Sequence, residues 1–183
     1  MVTIEQVKEL RDLTGVSVMQ CKKALEEAGG DKEKALAILR EKSAAIAEKK
    51  GDRVLAAGAV QAYIHSNKTA GALVELACET DFVARNEEFV AMSRDIAMHI
   101  VATNPEFKDE SEVTDEARAR IKAELGDSAT DEQVAQAVAE RTLLSQSFIK
   151  NPDLTIKALI DGGVQKFGEK IEVARFACFT VGK

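Results

Sequence analysis

The side chains able to do chemistry in this 183-residue chain are few and scattered. There are two histidines, His65 and His99, and three cysteines, Cys21, Cys78 and Cys178. Neither histidine belongs to an HExxH or has a cysteine nearby. His99, in AMHIVA, reads as a helix-face or buried histidine, and His65 as a surface residue at a strand end. The cysteines are far apart, odd in number and without CxxC spacing, which argues against a zinc site and against a disulfide framework. They read as reduced thiols serving as small apolar residues. Neither GxxxxGK[ST] nor GxGxxG occurs, so the chain has no phosphate cradle of its own. The runs EE, KDE and EKK are solvated faces. No catalytic residue, no metal site and no cofactor is expected, and the chain does not read as an enzyme.

One stretch stands apart. CETDFVARNEEF, residues 78–89, reads as a strand-to-helix turn, and turns lie at the surface. Yet Phe82, one of seven phenylalanines in a chain with no tryptophan, sits in it beside Asp81. Two roles are open. Asp81 caps the following helix and Phe82 packs beneath it, or the ring is held outward as a wedge for a partner.

The elements that must position this turn carry clear punctuation. Thr3 with Gln6 makes a capping box before Ile4, Val7 and Leu10, and Gly15 stops that helix. Ser17 with Gln20 repeats the device ahead of Val18, Cys21, Ala24, Leu25 and Ala28. Gly29-Gly30 ends the second helix, and Asp31 caps a third bearing Ala35, Leu36, Ile38 and Leu39. Residues 41–56 read as a charged, alanine-rich linker, helical or extended, broken at Gly51. The period then switches to two: GAVQAYIH and ALVELACE make a hairpin over 58–79. A helix follows from about 87 to 102, broken at Pro105. Residues 111–145 give two charged helices, with Ala117, Ile121 and Leu125 on one, and Val134, Ala137 and Val138 on the other after a Thr130/Gln133 box. They suit a short arm. Residues 153–161 form a short helix ended by Gly162-Gly163. KIEVARFACFTV alternates as a strand, with Ile171, Val173, Ala177, Phe179 and Val181 on one face and Phe176 and Cys178 on the other.

The predicted class is therefore α+β: a three-helix bundle over 1–50, then a core over 51–183 with a small antiparallel sheet of about three strands and flanking helices. A last strand apolar on both faces wants cover on both sides, and a small sheet has edges to protect. A homodimer is inferred, and whether Cys178 bridges the two chains stays open. Apolar residues make up 45% and aromatics 4%, so the core rests on Ala, Val, Leu and Ile. The net charge of −6 lacks the basic face that phosphate contacts need, so no direct nucleic-acid partner is expected. The one tight basic cluster, Lys49, Lys50 and Arg53, falls in the linker. The opening MVTIEQVKELRD has no apolar h-region and no apolar run approaches a membrane span, so a cytoplasmic protein without membrane contact is expected.

These residues resemble the elongation factor Ts family over almost the whole chain. LRDLTGVSVMQCKKALEEAGGDKEKALAILR, residues 10–40, is similar to the family's ubiquitin-associated-like module. YIHSNKTAGALVELACETDFVARNEEF is similar to its core hairpin and TDFVARN turn, and IAMHIVATNPEF to the next helix. LLSQSFIKNPDLTI and KFGEKIEVARF resemble its C-terminal stretch. TDFVARN between a hairpin and AMHI is the most specific of these. The resemblance implies a guanine-nucleotide exchange factor for elongation factor Tu. It implies that Thr80, Asp81, Phe82 and Val83 form the turn that enters the GTPase near its Mg²⁺ and phosphates, Phe82 inserting and Asp81 fixing the turn as its cap. It also places Leu13, Val18 and Met19 where the module docks. Longer members carry two core subdomains joined by a coiled coil. This chain has one such unit and a short arm, which fits a surface completed by two chains. The competing reading is an adaptor, a ubiquitin-associated-like module on a dimerising core with no effect on nucleotides.

Overall fold

A computed structural model describes residues 2–126 and 128–182. The first three helices are α1 (Ile4–Thr14), α2 (Val18–Glu27) and α3 (Lys32–Lys49). Thr3 and Gln6 form a full capping box, whereas Ser17 accepts from the Gln20 N–H and spends its own proton on the Gln20 side chain. The helices close on Val7, Leu10, Val16, Cys21, Ala24, Leu25, Ala35 and Leu39. Much of the expected linker is helix. α3 runs on to Lys49, and Ile46 and Ala47 in its second half pack on the core rather than on the bundle.

The core begins with a hairpin of β1 (Ala57–Ile64) and β2 (Ala70–Cys78). A four-residue helix, α4 (Asp81–Ala84), leads into α5 (Glu87–Thr103), which ends on Asn104 in a left-handed conformation just before Pro105. α6 (Asp115–Leu125) and α7 (Asp131–Arg141) follow, with their own small cluster of Val113, Ile121, Val134, Ala137 and Val138. The last residue of α7 is tied to the loop after α5, since Glu106 and Phe107 donate N–H groups to the Arg141 carbonyl. A two-stranded ribbon, β3 (Ser147–Phe148) with β4 (Asn151–Thr155), precedes α8 (Ile156–Phe167), and β5 (Ile171–Thr180) closes the chain. The main sheet has the order β1-β2-β5, antiparallel throughout. Its inner face packs Val74, Leu76, Ile171 and Val173 with residues of α5 and α8 into one cluster.

Two expectations are corrected here. The short helix ended by Gly162-Gly163 is instead α8, which passes through both glycines and stops at Gly168 (φ 74°). Two helical glycines cost about 1 kcal/mol each against alanine. Burial of Ile156, Ile160 and Val164 on one side outweighs that. Gly163 also lies where a Cβ would come within 3.1 Å of the Met92 Cε.

The faces of β5 are the second correction. Glu75 pairs with Arg175 but Leu76 pairs with Val173, so Ala174 is an extra residue in the strand. Such a bulge swaps the side-chain faces beyond it. Ile171 and Val173 point into the core. Past the bulge Phe176 and Cys178 take the inner face, and Ala177, Phe179 and Val181 turn outward. Cys178 therefore does not face outward, and its Sγ lies 3.9 Å from the Ile100 carbonyl oxygen. Val60 and Ile64 of β1 and Leu73 of β2 are exposed on the same outer face as Phe179, with Ile64, Gly71 and Phe179 in one cross-strand row.

Candidate functional site

Where β2 leaves the sheet, Cys78 is buried, and burial pushes its thiol above the ordinary value, with the nearby Glu169 carboxylate adding to the shift. Two residues on, Thr80 is extended (φ −127°, ψ 155°), and its hydroxyl accepts from the Val83 N–H at 3.4 Å. Thr80 is thus the cap of α4. Asp81, expected to cap the helix beginning near Glu87, is instead the first residue of α4 and pairs with Arg85 at 3.1 Å. Both partners are exposed, so this pair contributes little. The extended backbone at Thr80 is the conformation from which a hydroxyl reaches back to the third helical N–H.

Successive residues on a helix diverge by about 100°. The divergence separates Phe82, which is 82% exposed, from Val83, which is 4% exposed and belongs to the core cluster. Val83, expected among the contact residues, is buried in the free chain and anchors the turn. The ring of Phe82 does not pack beneath the helix. α5 has its own cap, Asn86, whose side chain accepts from the Glu88 N–H at 2.9 Å.

A second layer of polar contacts surrounds the turn and has no signal in the sequence. Glu169 accepts from the Thr80 N–H at 3.0 Å and from the Thr80 hydroxyl at 2.6 Å. Glu79 accepts from the Lys170 N–H at 2.5 Å and from Arg53 at 3.0 Å. The Lys170 backbone, then Arg53, hold the Glu79 carboxyl below the usual carboxylate range. Lys50 donates to the Gly168 carbonyl and Lys170 to the Gly51 carbonyl, each at 2.7 Å. The end of α3, the start of α4 and the turn between α8 and β5 are thereby joined. Of the basic cluster read in the sequence, Lys50 and Arg53 are engaged within the chain.

Leu13, Val18 and Met19 flank the turn between α1 and α2 and are all exposed, Met19 at 69%. None of the three belongs to the buried cluster of the bundle, and Leu13 lines a small cleft with Leu36, Leu39 and Leu159. His99 is fully buried. Its Nε2 lies 2.9 Å from the Gln146 Oε1, and its Nδ1 accepts from the Ile149 N–H, so the neutral ring carries its proton on Nε2. Burial pushes it below its ordinary value. His65 is exposed. Among the described residues no group of three or more His, Cys, Asp or Glu could hold a metal ion, and no helix is long and apolar enough to cross a membrane. A cleft of about 690 Å³ between α3, α8 and β5 contains none of the four turn residues.

A family model described as Elongation factor TS matches residues 4–183. Elongation factor Ts of Carboxydothermus hydrogenoformans is 44% identical over 196 residues, covering 100% of this chain and 90% of the relative. Elongation factor Ts of Heliobacterium modesticaldum is also 44% identical, with 100% and 91% covered. That of Desulfotalea psychrophila is 43% identical, with 99% and 98% covered.

Proposed function

The chain belongs to the elongation factor Ts family and is a translation elongation factor, and from that premise we propose that it binds elongation factor Tu·GDP and promotes release of the nucleotide. The observation that carries this reading is Phe82, a ring 82% exposed beside an anchor, Val83, that is 4% exposed. An aromatic ring left in water on a braced turn gains its burial energy only inside another molecule, about 1.5–3 kcal/mol for full burial. In this reading the ring inserts near the Mg²⁺ and phosphate site of the GTPase and displaces the elements that hold the ion. Mg²⁺ neutralises phosphate charge, so its loss removes a large part of the nucleotide's binding. Factor and GDP then weaken each other by the same ratio, and the nucleotide-free complex persists until GTP enters.

Thr80 holds the turn as its cap, and Asp81, its first helical residue, is presented outward beside Phe82. Leu13, Val18 and Met19 supply a separate apolar contact, so residues 1–50 act as a docking module and 51–183 as the exchange core. No bond is made or broken by this chain, so it is no enzyme and needs no cofactor. It works in the cytoplasm, without direct nucleic-acid contact. The outer sheet face, with Val60, Ile64, Leu73, Phe179 and Val181 exposed, is covered by a second copy in a homodimer. The test is the release of a fluorescent GDP analogue from elongation factor Tu with this protein present or absent. Acceleration that Phe82→Ala lowers about 10- to 100-fold supports exchange. No acceleration by the unaltered protein would leave an adaptor in its place.

A further inference from the structure

Resting on the exchange reading above, we propose that Glu169 is a positioning residue for nucleotide release, its carboxylate setting the direction in which Phe82 points. Glu169 lies on the turn between α8 and β5, with Lys166 and Lys170 close in sequence. An acidic side chain there would ordinarily pair with a lysine. Instead Lys166 pairs with Glu88 at 2.8 Å and Lys170 with Glu172 at 3.3 Å, and among the described residues Glu169 forms no ion pair. Both of its oxygens go to one residue, Thr80, at 3.0 Å to the N–H and 2.6 Å to the hydroxyl. Hydrogen bonds to an ionised acceptor are short and about twice as strong as neutral ones.

The hydroxyl has two tasks. It donates to Glu169 and accepts from the Val83 N–H, so one oxygen passes the orientation of Glu169 into the helical turn that bears Phe82. α4 has four residues, too few to hold a helix by its own bonds. Phe82 has almost no packing within its own chain. The turn's direction therefore rests on its first residue and on Val83. Glu169 is itself held on both sides. Gly168 donates to the Val164 carbonyl at 3.0 Å and accepts from Lys50 at 2.7 Å, and the Lys170 N–H is bound to Glu79. A wedge that is already aimed loses less freedom on insertion than a loose one.

The test follows release of a fluorescent GDP analogue from elongation factor Tu across a range of factor concentrations. The proteins are the unaltered chain, Glu169→Ala, Glu169→Gln, Phe82→Ala and the Phe82→Ala/Glu169→Ala pair. Glu169→Ala is expected to lower the maximal rate about tenfold, with the half-saturating concentration changed by less than about twofold, because docking elsewhere is intact. Glu169→Gln keeps the shape and one acceptor oxygen and should fall between. In the Phe82→Ala background, Glu169→Ala should change nothing further, since the ring it aims is gone. A maximal rate untouched by Glu169→Ala, while Phe82→Ala loses release, overturns the inference alone. An equal further loss in the Phe82→Ala background also overturns it, as a general structural role would produce that. If Glu169→Ala does not fold, Glu169→Gln carries the same comparison. A full rate in Phe82→Ala itself would refute the exchange reading, and this inference with it.

Discussion

Phe82 and Val83 are adjacent in sequence and opposite in environment, so their truncation should have opposite consequences. Phe82→Ala removes a ring that is 82% exposed, and its cost to folding should stay within about 0.5 kcal/mol. The burial energy of that ring is almost entirely unspent in the free protein. Full burial in a partner is worth about 1.5–3 kcal/mol, so its loss should slow stimulated GDP release by about 10- to 100-fold. Val83→Ala removes two methyl groups from a side chain only 4% exposed, costing about 2 kcal/mol with the cavity left behind. For a chain of this length that lowers the melting midpoint by about 4–8 °C. Thermal melts by circular dichroism and stopped-flow release of a fluorescent GDP analogue, run on both variants, separate the two effects. The reasoning is refuted if Phe82→Ala melts as low as Val83→Ala, or if it releases GDP at the unaltered rate.

Three further outcomes follow from the packing. Burial holds His99 below its ordinary value of about 6.5, so on acidification the unfolded chain takes up this proton first. Its contribution to stability is complete above that value and declines as the pH falls below it, until the folded ring is protonated too. Urea midpoints should therefore drop between about pH 7 and about pH 5, and less so in His99→Gln. Phe179→Lys places a charge on a side chain 67% exposed on the outer sheet face, and light scattering should show a dimer mass for the unaltered chain and a monomer mass for the variant. A Cβ at Gly162 would meet no group within 4 Å beyond its own stretch of helix, so Gly162→Ala should raise stability by about 0.5–1 kcal/mol. Gly163→Ala should gain less, because Met92 must move, and melting midpoints compare the two.

The arrangement around the turn also accounts for the length of α3. Its first half closes the helical bundle, while Lys50, just beyond its last turn, reaches the Gly168 carbonyl in the loop that carries Glu169. Ser43, near its middle, is hydrogen-bonded to Gln165 of α8. A rigid helix embedded at both ends ties the module bearing Leu13, Val18 and Met19 to the core bearing Phe82. The two proposed contacts on elongation factor Tu are thus held by one framework rather than by a free linker.

Local rules were legible in the chain itself. The capping boxes at Thr3 and Thr130 and the hairpin of β1 and β2 rest on residues within a few positions of one another, and so their signals are written in short stretches. The TDFVARN turn could be placed between strand and helix for the same reason. Sequence left the direction of Phe82 open, because a one-turn helix offers no period from which to choose a face. Tertiary structure alone decided that Val83 goes inward. It also carried α8 through Gly162 and Gly163, where packing against α3 and β5 outweighs the weak helix propensity of glycine. The bulge at Ala174 exchanges the faces of β5, and it exists only through pairing with a strand about a hundred residues earlier. Glu169 reaches Thr80 across 89 positions. Contacts of that separation leave no periodicity behind, since they depend on where the whole core brings two loops together.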